Sequence, residues 1–214
     1  MTGLNDKLNK VRAPEESTLK HQIISTIIIL LSGAVLGVIQ KCLDATYFNE
    51  LPSIFQKIDI INFFGRLSIW ILLAVIISIY SKNPRRASVN VFAFFTGMLA
   101  GYYIYCNFVL GFLPVVYMLK WVVIAVISMP AAYLCWYAKG EGKFAVVLSA
   151  GILGVLLAQA ISLTQGIYVY HFTEICVWLI GVILLRRKPK ELIIELILCI
   201  IIAALYQLVI PFYG

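Results

Sequence analysis

Seven runs of apolar residues, each long enough to cross a bilayer as a helix, alternate with polar connections in which positive charge is unevenly placed. Of the 17 Lys and Arg, all but Lys41, Lys57, Arg66 and Lys120 fall in alternate connections. Such a bias orients a multipass chain, with the basic connections in the cytoplasm. An even number of spans would leave either SKNPRR (81–86) or RRKPK (186–190) on the wrong face. The expected fold is therefore all-α, a polytopic membrane helical bundle of seven transmembrane helices in a bacterial inner (cytoplasmic) membrane. Its N-terminus is cytoplasmic and its C-terminus extracytoplasmic.

Seven spans use most of 214 residues, leaving no length for a soluble catalytic domain. Residues 1–22 read as a cytoplasmic N-terminal tail and 23–214 as a single transmembrane domain. The tail is polar and the first apolar run lacks a small-residue cleavage site, so no removable signal peptide is expected. A net charge of +7 would suggest nucleic acid in a soluble protein. In this chain cytoplasmic turns meeting anionic headgroups account for it, so membrane lipids are expected partners and nucleic acid is not. The five cysteines are scattered without a CxxC. Cys42 and Cys106 are the pair, near the outer face, that a disulfide could join.

The spans run over about 23–39, 65–80, 88–107, 115–137, 144–163, 167–185 and 191–210. Pro130 predicts a kink in the fourth. Between the first two, Leu51, Ile54, Phe55, Ile58 and Ile61 recur at helical spacing, and Pro52 suits a first helical position. That stretch is too polar to span and reads as an interfacial helix in the first outer loop.

Hydrocarbon makes polar side chains costly, so ionisable groups inside spans mark candidate sites. With the spans oriented, they gather toward the outer face: His171 and Glu174 at i, i+3 in span six, Lys120 in span four and Arg66 opening span two. Gln159, Asn107, Gln40, Lys41 and Gln207 lie near other outer ends, and Glu195 is the exception near the cytoplasmic surface. Buried charges need partners, and Glu174 with Lys120 or Arg66 is the preferred pair. Tyr102 and Tyr105, on one face of span three, offer flat walls with hydroxyls. Three readings fit: ion pairs that pack helices with snorkelling ends, a binding cavity open to the outside, or catalysis.

Gly33 with Gly37, and Gly97 with Gly101, permit close helix approach, either within the chain or toward a partner subunit in the membrane. Catalytic patterns fail. HFTE (171–174) supplies one His and one Glu without a second histidine at metal spacing, and neither a Gly-x-Ser-x-Gly elbow nor a P-loop is present. No catalytic residue, metal site or cofactor is expected.

The stretch FFGRLSIWILLAVIISIYSKNPRRASVNVFAFFTGMLAGYYIY (63–105) resembles a block in small bacterial multipass membrane proteins, a resemblance that implies no activity. In size, basic cytoplasmic turns and outward polar residues the chain is also similar in layout to S components of energy-coupling-factor transporters. That similarity implies an external vitamin pocket and a small-residue face, at Gly33 and Gly37, that docks a membrane partner. Those proteins have six spans where seven are read here, and no vitamin-specific motif is present.

Three functions follow as expectations. The first is a transporter, or its binding subunit, that takes a small polar solute or lipid headgroup from outside. Glu174, His171, Lys120 and Arg66 would contact the ligand, with Tyr102, Tyr105, Gln159 and Asn107 around it. The second is a non-transporting interaction or assembly subunit. The third is an intramembrane enzyme using His171 and Glu174 as acid and base.

Overall fold

A computed structural model of the chain describes residues 8–164 and 166–210. Lys7 of the tail, Gln165 of the SLTQG turn and the terminal PFYG lie outside the described residues. The elements are α1 (Leu19–Asp44), a 3₁₀ turn (Phe48–Glu50), α2 (Ser53–Lys57), α3 (Ile60–Gly65), α4 (Leu67–Tyr80), α5 (Pro84–Val109) and α6 (Val115–Tyr137). There follow α7 (Gly142–Ala160), β1 (Ile161–Ser162), β2 (Tyr168–Val169), α8 (Phe172–Leu184) and α9 (Pro189–Val209). Residues 8–11 are also helical.

Among the described residues five helices, α1, α5, α6, α7 and α9, are long and apolar enough to cross a membrane, while α4 and α8 are apolar but shorter, at 14 and 13 residues. Local sequence explains where several begin and end. Asn83 caps α5 by accepting from the Arg86 N–H at 2.8 Å, and Pro84 occupies a first-turn position whose N–H needs no helical partner. The same helix ends at a left-handed glycine. Gly111 sits at φ 71°, and the Phe112 N–H donates to the Cys106 carbonyl at 3.3 Å. α6 runs through Pro130 as one helix.

The single outer-loop helix expected over 51–63 is instead two short helices. They are broken at Asp59, whose φ of 52° is left-handed. Asp59 tolerates that conformation better than most residues because its short side chain can bond locally. It accepts from Asn62 Nδ2 at 2.8 Å and pairs with Arg66 at 3.4 Å.

The residues form two compact units, one of 8–14, 67–79 and 134–210, the other of 15–66 and 80–133. In the second unit α1 and α5 pack through reciprocal glycines. A Cβ on Gly33 would lie 2.1 Å from the Phe94 carbonyl oxygen, and one on Gly37 2.0 Å from that of Met98. Gly97 meets the Leu30 carbonyl and Gly101 the Ala34 carbonyl in the same way, at 2.0 Å each. Four glycines therefore bring two backbones into direct contact, which apolar side chains could not do in lipid. The outer face of α1 (Ile23, Ile27, Leu31, Val35) is exposed and apolar, as a lipid-facing surface should be.

In the first unit Val75, Ile79, Leu153, Leu157, Leu185, Cys199 and Ala203 form the core. Between α7 and α8 the chain leaves the helix for a two-residue antiparallel ladder, Ile161 opposite Val169 and Ser162 opposite Tyr168. This hairpin replaces the outer ends expected for spans five and six. Its exposed carbonyls and N–H groups need partners, and Gln207 supplies them. Gln207 Nε2 donates to the Ala158 and Ile161 carbonyls at 2.9 and 2.6 Å, and its Oε1 accepts from the Leu163 N–H at 2.9 Å.

Part of the expected free tail is docked. The Glu141 N–H donates to the Val11 carbonyl at 2.8 Å, and Arg12 bonds to backbone carbonyls of Ile79 and Trp136.

Candidate functional site

In the second unit, α1, α5 and α6 border a shallow, open cleft that encloses only about 10 Å³. Its walls are Gln40, Met98, Leu99, Tyr102, Tyr103, Tyr117 and Trp121. Helical geometry sets this list. Met98 stacks under Tyr102 and Leu99 under Tyr103 along i, i+4 rows, because Gly97 and Gly101 hold the neighbouring stripe of α5 against α1. The Tyr117 and Trp121 rings, one turn apart on α6, meet edge to face at 6.0 Å.

Polar groups in the cleft are few and fixed. Gln40 is buried and donates to the Phe64 carbonyl at 3.1 Å. Tyr102 donates to Asp44 Oδ2 at 3.0 Å, and Lys41 Nζ stands 5.1 Å from the centre of the same ring. The Tyr103 side chain is 7% exposed, and its hydroxyl is buried with no hydrogen-bond partner. Buried hydroxyls are partnered as a rule, so this one is an exception that calls for an explanation.

The other sequence-selected residues fall elsewhere. Tyr105, three residues after Tyr102, is half-buried but not part of the cleft wall. Asn107 and Lys120 are exposed. Arg66 pairs with Asp59 across the broken outer-loop helices. These residues share the second unit with Gly33, Gly37, Gly97 and Gly101.

Glu174, His171 and Gln159 belong to the first unit. Glu174, 1% exposed in the first turn of α8, accepts from Ser68 Oγ at 3.3 Å and from Thr173 Oγ1 at 2.7 Å. His171 is not on the helix. It is the N-cap of α8 with extended backbone (φ −147°, ψ 134°) and makes no capping bond with its side chain. The pair expected to share a helix face is thus divided by the helix boundary, because the β2 strand carries the chain in extended form up to His171. Gln159 Nε2 lies 3.5 Å from the Val155 carbonyl of its own helix.

Tyr103 and Gln40 are the residues that sequence reasoning undervalues. In the sequence Gln40 is only a polar residue near a span end. Tyr103 stands in the same tyrosine run but off the face shared by Tyr102 and Tyr105. Cys42 and Cys106 are both free thiols, without the disulfide that their placement would allow. Among the described residues no group of three or more His, Cys, Asp or Glu is placed to hold a metal ion.

The apolar helices and the buried polar contacts between them define a membrane-embedded, multipass helical protein. Comparison with family models, curated proteins and solved structures gives no match.

Proposed function

We propose that the chain is a seven-span inner-membrane protein, N-terminus inside, that binds a small solute or lipid headgroup from the extracytoplasmic side as a transporter or its binding subunit. The ligand seat is the aromatic cleft of α1, α5 and α6. The observation that carries this reading is the unpartnered Tyr103 hydroxyl in a wall of three further rings, Met98, Leu99 and the Gln40 amide. A ligand polar atom is the partner that site lacks. Tyr102, Tyr117 and Trp121 suit a flat or cationic group, since ring faces attract both. Gln40 supplies an amide for orientation.

Five long helices account for five crossings. In this reading α4 and α8 make the other two, although at 1.5 Å per residue they rise only about 21 and 20 Å. Non-helical backbone at membrane depth is tolerated where protein satisfies it. Gln207 does this for the hairpin before α8. Glu174, held by Ser68 and Thr173, then serves helix packing in its own unit rather than the ligand. The α1–α5 glycines likewise pack within the chain. A partner subunit, if transport is energised by one, docks elsewhere.

The test is native mass spectrometry of the full chain purified in mild detergent, comparing wild type with Trp121→Ala. A small molecule retained by the wild type and lost from the variant supports the cleft. A species held equally by both places the seat elsewhere.

A further inference from the structure

A second cleft, of about 320 Å³, opens in the first unit between the turn before α7 and the turn before α9. Lys139, Glu141, Arg186, Arg187, Lys188 and Glu191 are the charged residues on its walls, four cations against two carboxylates. It is independent of the aromatic cleft.

Arg187 builds the back of this cleft. Its side chain is only 6% exposed. Nε donates to Ser149 Oγ at 3.2 Å, Nη1 to the Gly140 carbonyl at 2.9 Å, and Nη2 to the Ala138 carbonyl. Glu195, fully buried, stands 3.8 Å from Nε and accepts no hydrogen bond. Arg187 therefore ties the two turns together, and its charge is largely answered by carbonyls and by Glu195. On the rim Arg186 and Lys188 are exposed, in a concavity rather than on a convex face.

Two long helices also begin here. α7, 19 residues, starts at Gly142 after Glu141. α9, 21 residues, starts at Pro189 after Lys188. Neither preceding residue caps its helix with its side chain. Each helix start carries about half a positive charge and first-turn N–H groups with no intrahelical acceptor. Cations on a rim and two helix starts beside one cavity, the second with Glu191 in its first turn, suit a tetrahedral oxyanion. Glu141 and Glu191 disfavour a carboxylate-rich or multiply charged guest and limit the site to one such group.

We infer that this cleft binds a phosphate group, either the phosphodiester of an anionic lipid headgroup or a soluble phosphomonoester. Basic pockets between helices at a membrane face are suited to the first source, and the volume admits either.

The experiment uses the full chain in a neutral mild detergent. Native mass spectrometry follows titration with phosphatidylglycerol, with phosphatidylcholine and, separately, with glycerol 3-phosphate. Arg186→Gln/Lys188→Gln is compared with Lys20→Gln/Arg85→Gln, which removes two exposed cations outside the cleft. Near an anionic headgroup two such cations together are worth about thirtyfold in affinity, so the cleft variant should lose about that much and the control little. Preference for phosphatidylglycerol lost only in the cleft variant identifies a lipid. Glycerol 3-phosphate binding lost only in that variant identifies a soluble ligand. No phosphate-dependent binding by the wild type, or equal losses in the two variants, overturns the inference.

Discussion

Arg12 lies with its guanidinium carbon 4.1 Å from the centre of the Trp136 ring and donates through Nη1 to the carbonyl of that same tryptophan at 2.7 Å. Its Nη2 reaches the Ile79 carbonyl at 2.8 Å. One side chain thus closes the C-terminal ends of α4 and α6, where unpaired carbonyls gather partial negative charge. Arg12→Ala should lower stability by about 2–3 kcal/mol, the scale of charge-assisted hydrogen bonds and a cation–π contact. Thermal unfolding in detergent checks this. Arg12→Lys should recover less than half, because a point charge cannot fork between two carbonyls.

The reciprocal glycines of α1 and α5 predict substitutions of opposite sign. Gly37→Ala or Gly101→Ala puts a methyl group 2.0 Å from a backbone oxygen, which must move. Each should cost about 1–3 kcal/mol, as overpacking does. A methyl group added at Gly151, in α7, would meet nothing within 4 Å. Gly151→Ala should therefore be neutral or stabilise by up to about 1 kcal/mol, the helix preference of Ala over Gly. Melting temperatures of the three variants, measured side by side, separate the two effects.

Gln207→Leu keeps the bulk of the side chain and strips three backbone groups of their partner. The expected loss is about 2–4 kcal/mol, from leaving a buried donor and acceptors unsatisfied. Hydrogen exchange should accelerate at Leu163 and across the hairpin, while α1 and α5 remain protected.

Much of this architecture is legible in sequence, and the rest is hidden for identifiable reasons. The limits of α6 follow hydropathy residue for residue, from Val115 to Tyr137, and Asn83-Pro84 announces α5 through its cap chemistry. The hairpin before α8 is hidden because a hydropathy window counts Ile161, Ile167 and Val169 as span. The signal against a helix lies in Gly166, which adopts φ 102°, and in the β-prone string Ile167–Tyr170. The aromatic cleft is half legible. Tyr102 can be placed on it, but the choice of Tyr103 over Tyr105 depends on knowing which stripe of α5 the glycines bury.

The proposed seven-crossing topology is open to a fusion test. Alkaline phosphatase fused after Val209 should be active and green fluorescent protein at the same point dark, since the proposed topology puts the C-terminus outside. A fusion in the 139–142 turn should show the reverse. A bright fluorescent fusion after Val209 would contradict seven crossings with the N-terminus inside.

Tyr103→Phe decides whether the Tyr103 hydroxyl holds a ligand. Removing a buried hydroxyl that has no protein partner should leave unliganded stability unchanged or raise it by about 1 kcal/mol. If the cleft is a ligand seat, native mass spectrometry should show a small molecule retained by the wild type and lost, or at least about fivefold depleted, in this variant, the scale of one hydrogen bond. The expected combination is an intact or improved melting temperature with a missing ligand. A variant that melts lower, or one that keeps the same bound species in the same amount, would contradict it.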